Sequence, residues 1–130
     1  MCIFCNIVEG SIPSSKVYED DDVLAILDLS QTTLGHTIVM PKKHYDNFLE
    51  MPQNEYANLM AKVQEVAKLV ITKLNANGCN ILINTNAIAG QTIMHTHVHI
   101  IPRYSENDTV KFEFSENKLD LNEVLNKIKG

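Results

Sequence analysis

Five histidines occur in this chain of 130 residues, and three of them alternate in His95-Thr96-His97-Val98-His99. Histidine is scarce, titrates near neutrality and binds metals, so three alternating rings ask for a use of imidazole that a merely solvated face would not need. On a strand, a period of two puts all three on one face. Two chemistries fit. The rings can hold one catalytic metal such as Zn, Fe or Cu, as in a metallohydrolase. Alternatively, one imidazole attacks phosphorus while its neighbours hold the oxygens, which splits a phosphoryl transfer into two steps through a histidine adduct. Lys42, Lys43 and Arg103 flank the histidine-bearing segments, and Gly90, Gln91 and Thr92 precede the triad as donors, which favours the phosphate chemistry.

Cys2 and Cys5 form a Cys-x-x-Cys pair able to supply half of a tetrahedral metal site. Free thiols and a redox pair are the alternatives, although the redox motif usually comes with a βαβ context that is missing here. Cys79, in an apolar run, reads as a small core residue.

The run His95-Thr96-His97-Val98-His99-Ile100-Ile101-Pro102-Arg103 resembles the signature of the histidine triad (HIT) superfamily. Gly90-Gln91-Thr92 is similar to the family's loop before the triad, and Gly35-His36-Thr37-Ile38-Val39-Met40-Pro41-Lys42-Lys43-His44 to its second landmark. Asp28 stands where the family has an acidic or amide residue, so the likeness covers roughly Cys2 to Arg103. The Pro102-Arg103 exit departs from the glycine-rich exit of Hint-type members, while the Cys-x-x-Cys start resembles bacterial Hint-like ones.

The resemblance implies a nucleotide hydrolase or nucleotidyl transferase acting at the α-phosphate of purine nucleotide conjugates, such as an adenosine phosphoramidate or a lysyl or aminoacyl adenylate. His97 would be the nucleophile of a nucleotidyl-histidine intermediate, with the backbone carbonyl of His95 fixing its tautomer. His99 and His36 would hold the phosphate oxygens, and Thr92 would bind phosphate and assist the leaving group. Gln91 and Asn84 would line the pocket, and Asp28 would accept from the ribose hydroxyls. Diadenosine polyphosphate hydrolysis is an alternative activity, and a nucleotide-binding regulatory module an alternative of another class. The resemblance also implies a structural zinc on Cys2, Cys5, His44 and His95, no metal in the chemistry itself, and a homodimer.

A sheet must position these groups. Lys16–Glu19 and Val23–Leu27 read as strands of a hairpin turned at Asp20-Asp21-Asp22, followed by a strand at His36–Met40 that Pro41 stops. From Pro52 to Asn77 the apolar residues recur with the period of one helix face, and Gly78 suits a left-handed cap. Strands are expected again at Cys79–Asn84 and Thr92–Ile101, the latter stopped by Pro102, and a short helix across Leu121–Ile128. The order predicts an α+β fold over 1–130 as one domain, with a mostly antiparallel sheet, one long helix and a short C-terminal helix.

With 45% hydrophobic residues the chain can bury a core, yet no apolar run is long enough to suggest a membrane span. A formal net charge of −5 argues against a nucleic-acid footprint but not against one phosphorylated ligand. Three cysteines without a disulfide framework point to a reducing compartment, the cytoplasm by default.

Overall fold

A computed structural model describes residues 2–130. Helix α1 (Ile3–Glu9) leads into strands β1 (Lys16–Glu19), β2 (Val23–Leu27) and β3 (Thr37–Pro41). Helix α2 (Gln53–Leu74), strands β4 (Gly78–Leu82) and β5 (Val98–Arg103), and helix α3 (Leu121–Lys129) follow. The five strands form one sheet in the order β1-β2-β3-β5-β4, with every neighbouring pair antiparallel. The hairpin turn is built as the acidic stretch suggested: Asp20 Oδ1 accepts from the backbone N–H groups of Asp22 and Val23, each at 2.8 Å.

Alternation along the central strands assigns the two faces of the sheet. Val23, Ala25, Val39, Val98 and Ile100 face α2 and pack with its Leu59, Val63, Val66 and Val70. Leu24, Ile26, Ile38 and Met40 face the other way, against Phe4 and Ile7 of α1. Because both faces are covered, β2 reads as a continuous apolar run rather than an alternating one. His99 pairs directly with Ile38 across β3 and β5, so its ring projects on the α1 side. The fold therefore places the chemistry under the N-terminal helix.

Four sequence expectations are corrected. α1 escaped notice because seven residues show too little periodicity; Cys2 caps it, its Sγ accepting from the Cys5 N–H at 3.4 Å, and Gly10 ends it with φ 88°. α2 stops at Leu74, where Asn75 takes the left-handed cap with φ 56°, so Gly78 is free to begin β4. The last strand of the sheet begins at Val98 instead of Thr92. Thr96 donates its backbone N–H to Tyr45 O at 2.8 Å and its hydroxyl to the same oxygen at 3.1 Å, which draws the preceding residues out of the ladder. That strand also runs through Pro102 to Arg103: its pairing with β3 ends at Ile100, so at Pro102 only β4 lies alongside.

Gly35, with φ 90°, is required by space as well as conformation, since a Cβ there would overlap the Leu74 side chain and crowd Val70 Cγ1 at 3.3 Å. Among the described residues, no helix is long and apolar enough to cross a membrane.

Candidate active site and metal centre

Between α1 and the sheet lies a cleft of about 360 Å³, walled by apolar side chains that include Phe4, Ile7, Ile26 and Ile38. Its polar lining consists of Asp28, Ser30, Thr92, His97 and His99. His97 is 8% exposed, with the Phe4 ring packed edge-on against it at 4.9 Å between centroids.

The hydrogen bonds assign the ring protons. His97 Nδ1 lies 2.7 Å from the backbone oxygen of His95, which can only accept, so Nδ1 carries the proton and Nε2 keeps a free lone pair. His36 Nδ1 accepts from the Thr32 N–H at 3.3 Å, which puts its proton on Nε2. That proton is donated to His99 Nδ1 at 2.9 Å, leaving His99 to carry its own on Nε2. A bare nucleophilic nitrogen on His97 and an N–H donor on His99 thus stand on adjacent rings 5.1 Å apart. Burial pushes His97 below the ordinary histidine range, against the opposing pulls of its bond to His95 and of the Asp28 charge. Burial, and then the neighbouring His97 and His36, push His99 down to about 4. The His99 ring is therefore neutral at pH 7.

Asp28 completes this group, with Oδ2 3.6 Å from His36 Nε2 and Oδ1 accepting from the Ser30 N–H at 2.8 Å. Asp28, His36 and His99 lie close enough to hold a cation, but the Thr32 N–H occupies the His36 nitrogen that would have to take the displaced proton. The three make a hydrogen-bonded relay.

His95 turns away from this cleft. Its Nε2–H donates to Pro41 O at 2.8 Å, and its Nδ1 lies 3.5 Å from Cys2 Sγ, 3.6 Å from Cys5 Sγ and 3.2 Å from His44 Nδ1. Cys5 Sγ is 3.3 Å from His44 Nδ1, and the four donor atoms all lie within 4.8 Å of one another. A tetrahedral ion with Zn–S of about 2.3 Å and Zn–N of about 2.05 Å has S···N edges of about 3.5 Å and N···N edges of about 3.3 Å. The donors have both the identity and the spacing of such a site. His44 Nε2 bonds Asp46 Oδ1 at 2.8 Å, so both imidazoles are held by their far nitrogens with Nδ1 turned inward. A catalytic metal on His95, His97 and His99 is ruled out by this divergence: the side chain of His95 belongs to the thiol cluster, and only its backbone oxygen touches His97.

Other expected residues fall unevenly. Thr92 lines the cleft, and Asn84 does not; its amide reaches Gly90 O at 3.4 Å. Gln91 is 2% exposed, its Nε2 donating to Asp46 O at 2.5 Å and Ile93 O at 3.0 Å while its Oε1 accepts from the Asn86 N–H at 2.8 Å. Its amide is consumed in bracing the loop. The expected cations are also committed elsewhere: Lys42 to Glu19 at 2.9 Å, Lys43 to Glu55 at 3.4 Å, and Arg103 to Asp108 at 2.9 Å. None of them lines the cleft. Sequence reasoning missed the Phe4 and Ile7 wall, whose one signal is an apolar pair spaced i, i+3 after a capping Cys2.

A family model described as HIT domain matches residues 9–106. An uncharacterized HIT-like protein of Methanocaldococcus jannaschii is 49% identical over 100% of both chains. Adenylylsulfatase HINT3 of Arabidopsis thaliana is 41% identical over 78% of this chain and 52% of its own. Among solved structures, a Streptococcus mutans protein aligns at a TM-score of 0.91 with 46% identity, covering 98% of this chain and 81% of that one. A HIT family member from Bacillus subtilis gives 0.91 with 40% identity, covering 98% and 94%. A Zn-bound histidine triad family protein from Mycobacterium smegmatis gives 0.79 with 38% identity, covering 89% and 84%. With the relay histidines, the triad and all five strands of the sheet inside the matched residues, the chain belongs to the HIT domain family.

Proposed function

We propose that this protein is a nucleotide hydrolase or nucleotidyl transferase that attacks the α-phosphorus of purine nucleotide conjugates, preferring an adenosine phosphoramidate or a lysyl or aminoacyl adenylate over a diadenosine polyphosphate. The observation that carries this reading is the His97 tautomer: the bond to His95 O leaves Nε2 unprotonated within the cleft. His97 Nε2 forms a bond to phosphorus as the bond to the leaving group breaks, and the leaving group takes a proton from solvent by way of the Thr92 hydroxyl. Water then attacks the phosphorus, the P–N bond returns its electrons to His97, and the proton released by the water balances the one taken earlier. The His99 Nε2–H, set by the relay through His36, stabilises a non-bridging oxygen, and the Thr92 hydroxyl serves the leaving-group side. Asp28 accepts from ribose hydroxyls, while the apolar wall suits a flat purine. Gln91 acts by holding the loop, and Asn84 by its bond to the same loop. The adenylylsulfatase relative supports the adenylate class, since its named substrate is also an adenylyl conjugate.

In this reading Cys2, Cys5, His44 and His95 hold a structural zinc, a reading the Zn-bound relative supports. The ion, when bound, clamps α1 to the segment whose backbone orients His97. A homodimer is also part of the reading. An apolar groove on the α2–β4 side, lined by Met60, Val63, Ala67, Ile71, Cys79 and Ile81, lies beside the open edge of β4.

The test is turnover on an adenosine phosphoramidate and a diadenosine polyphosphate in parallel, with acid quenching to trap the adduct. His97→Ala is expected to lose at least about 10⁴-fold in turnover while binding a nucleoside monophosphate nearly as before. Wild-type turnover by that variant would overturn the assignment. Tight monophosphate binding with no turnover above about 10⁻³ s⁻¹ would make the protein a binding module instead.

A further inference from the structure

Thr96 stands between the two histidines whose rings part company, and its hydroxyl calls for a use. The residue is 1% exposed, while Val98 and Ile100, at the next two alternate positions, are apolar and fully buried in the cluster under α2. Valine at 96 would fill nearly the same volume without burying a polar group.

The hydroxyl bonds Tyr45 O at 3.1 Å, the same oxygen that takes the Thr96 N–H at 2.8 Å. That oxygen belongs to a firmly held segment. Tyr45 donates its own hydroxyl to Glu55 Oε2 of α2 at 2.7 Å, Asp46 Oδ1 bonds His44 Nε2 at 2.8 Å, and Asp46 O receives the buried Gln91 amide.

The Thr96 N–H and the His95 carbonyl are opposite edges of one rigid peptide plane. Whatever Tyr45 grips at one edge decides where the other points, and the other edge holds His97 Nδ1 at 2.7 Å. Sheet pairing of β5 starts only at Val98, so no ladder steadies this plane. A single hydrogen bond fixes a distance and lets the plane rock about it. A second bond to the same oxygen, made from the side chain, removes that freedom. Donation by the N–H also polarises the peptide and makes His95 O the better acceptor. The effect falls on His97, because a neutral imidazole without partners favours its proton on Nε2, the reverse of the tautomer found here.

We propose that Thr96 is a positioning residue for His97: its hydroxyl and its N–H together clamp the 95–96 peptide on Tyr45 O, which keeps the His97 proton on Nδ1 and the lone pair on Nε2. The use made of that lone pair rests on the nucleotidyl-transfer reading above; the clamp itself does not.

The experiment compares wild type, Thr96→Val and Thr96→Ser as full chains at equal zinc, by nitrogen-15 NMR of the His97 ring and by kcat and KM on an adenosine phosphoramidate. Thr96→Val leaves Tyr45 O its N–H donor and is expected to fold as the wild type does. It should move a measurable share of the His97 proton to Nε2 and lower kcat about three- to tenfold, with KM changed less than about twofold. Thr96→Ser, which keeps the hydroxyl, should restore both readings to within about twofold of wild type. A His97 proton that stays on Nδ1 in Thr96→Val overturns the clamp, whatever happens to turnover, and leaves the nucleophile reading standing. A serine variant that falls as far as the valine one also overturns it. A proton that moves in Thr96→Val while kcat does not supports the clamp and overturns His97 as the nucleophile. In a wild type without turnover, the ring spectra alone decide the clamp.

Discussion

His99 offers a quantitative test of how the cleft controls protonation. Its imidazole is held at about 4, against an ordinary 6.5. Above about pH 6.5 the ring is neutral in the folded and the unfolded chain alike, so its full contribution to stability is present. As pH falls below that, the unfolded chain takes a proton that the folded chain refuses, and stability is lost until the folded ring also protonates near 4. Each pH unit in this window is worth about 1.4 kcal/mol, and partial exposure lets solvent screen the charge, so the total is about 2–3 kcal/mol. In His99→Gln nothing titrates at this position. The assay is urea unfolding of wild type and variant at fixed zinc and protein concentration, between pH 7 and pH 4. The stability difference between the two should shift by about 2–3 kcal/mol against the wild type as pH falls, whatever the other histidines contribute to both. A difference that stays flat within about 0.5 kcal/mol would refute the claim that burial keeps His99 neutral.

The metal centre and the packing supply further tests. Cys5→Ser should purify with less than about a tenth of an equivalent of zinc by elemental analysis and melt at least about 5 °C lower than wild type, because α1 loses its clamp. Gly35→Ala should destabilise by about 2–4 kcal/mol in denaturant titration, from the positive φ combined with overlap on Leu74. Gln91→Ala should cost about 2–3 kcal/mol by the same assay, since it removes a buried amide that answers both Asp46 O and the Asn86 N–H.

The elements legible in the chain were those whose pattern is local. The hairpin at Asp20–Asp22 and the long α2 stripe follow from turn chemistry and from apolar spacing, and both appear within a few residues of where the pattern puts them. α1 was illegible because its function is tertiary: Phe4 and Ile7 cover one face of the sheet, and the capping residue is a cysteine. Strand period failed at residues 92–97 because Thr96 is tied to Tyr45 and the His95 ring to the thiol cluster. The cations near the histidines in sequence satisfy carboxylates instead, and sequence distance carries no information about that choice.

Residue types and spacing alone determined the family resemblance, the α+β class, and the short list of groups with any chemistry to perform. The chain could not say which histidine does what, because a histidine's role depends on what each ring nitrogen faces. Tertiary structure decided that through a few long-range bonds. His95 gives its ring to the cysteines and its carbonyl to His97, while Thr32 sets a proton order that passes from His36 to His99. Five imidazoles of identical intrinsic chemistry are thereby divided between a cleft group, in which one ring nitrogen is left unprotonated, and a thiol cluster whose donors could hold a metal.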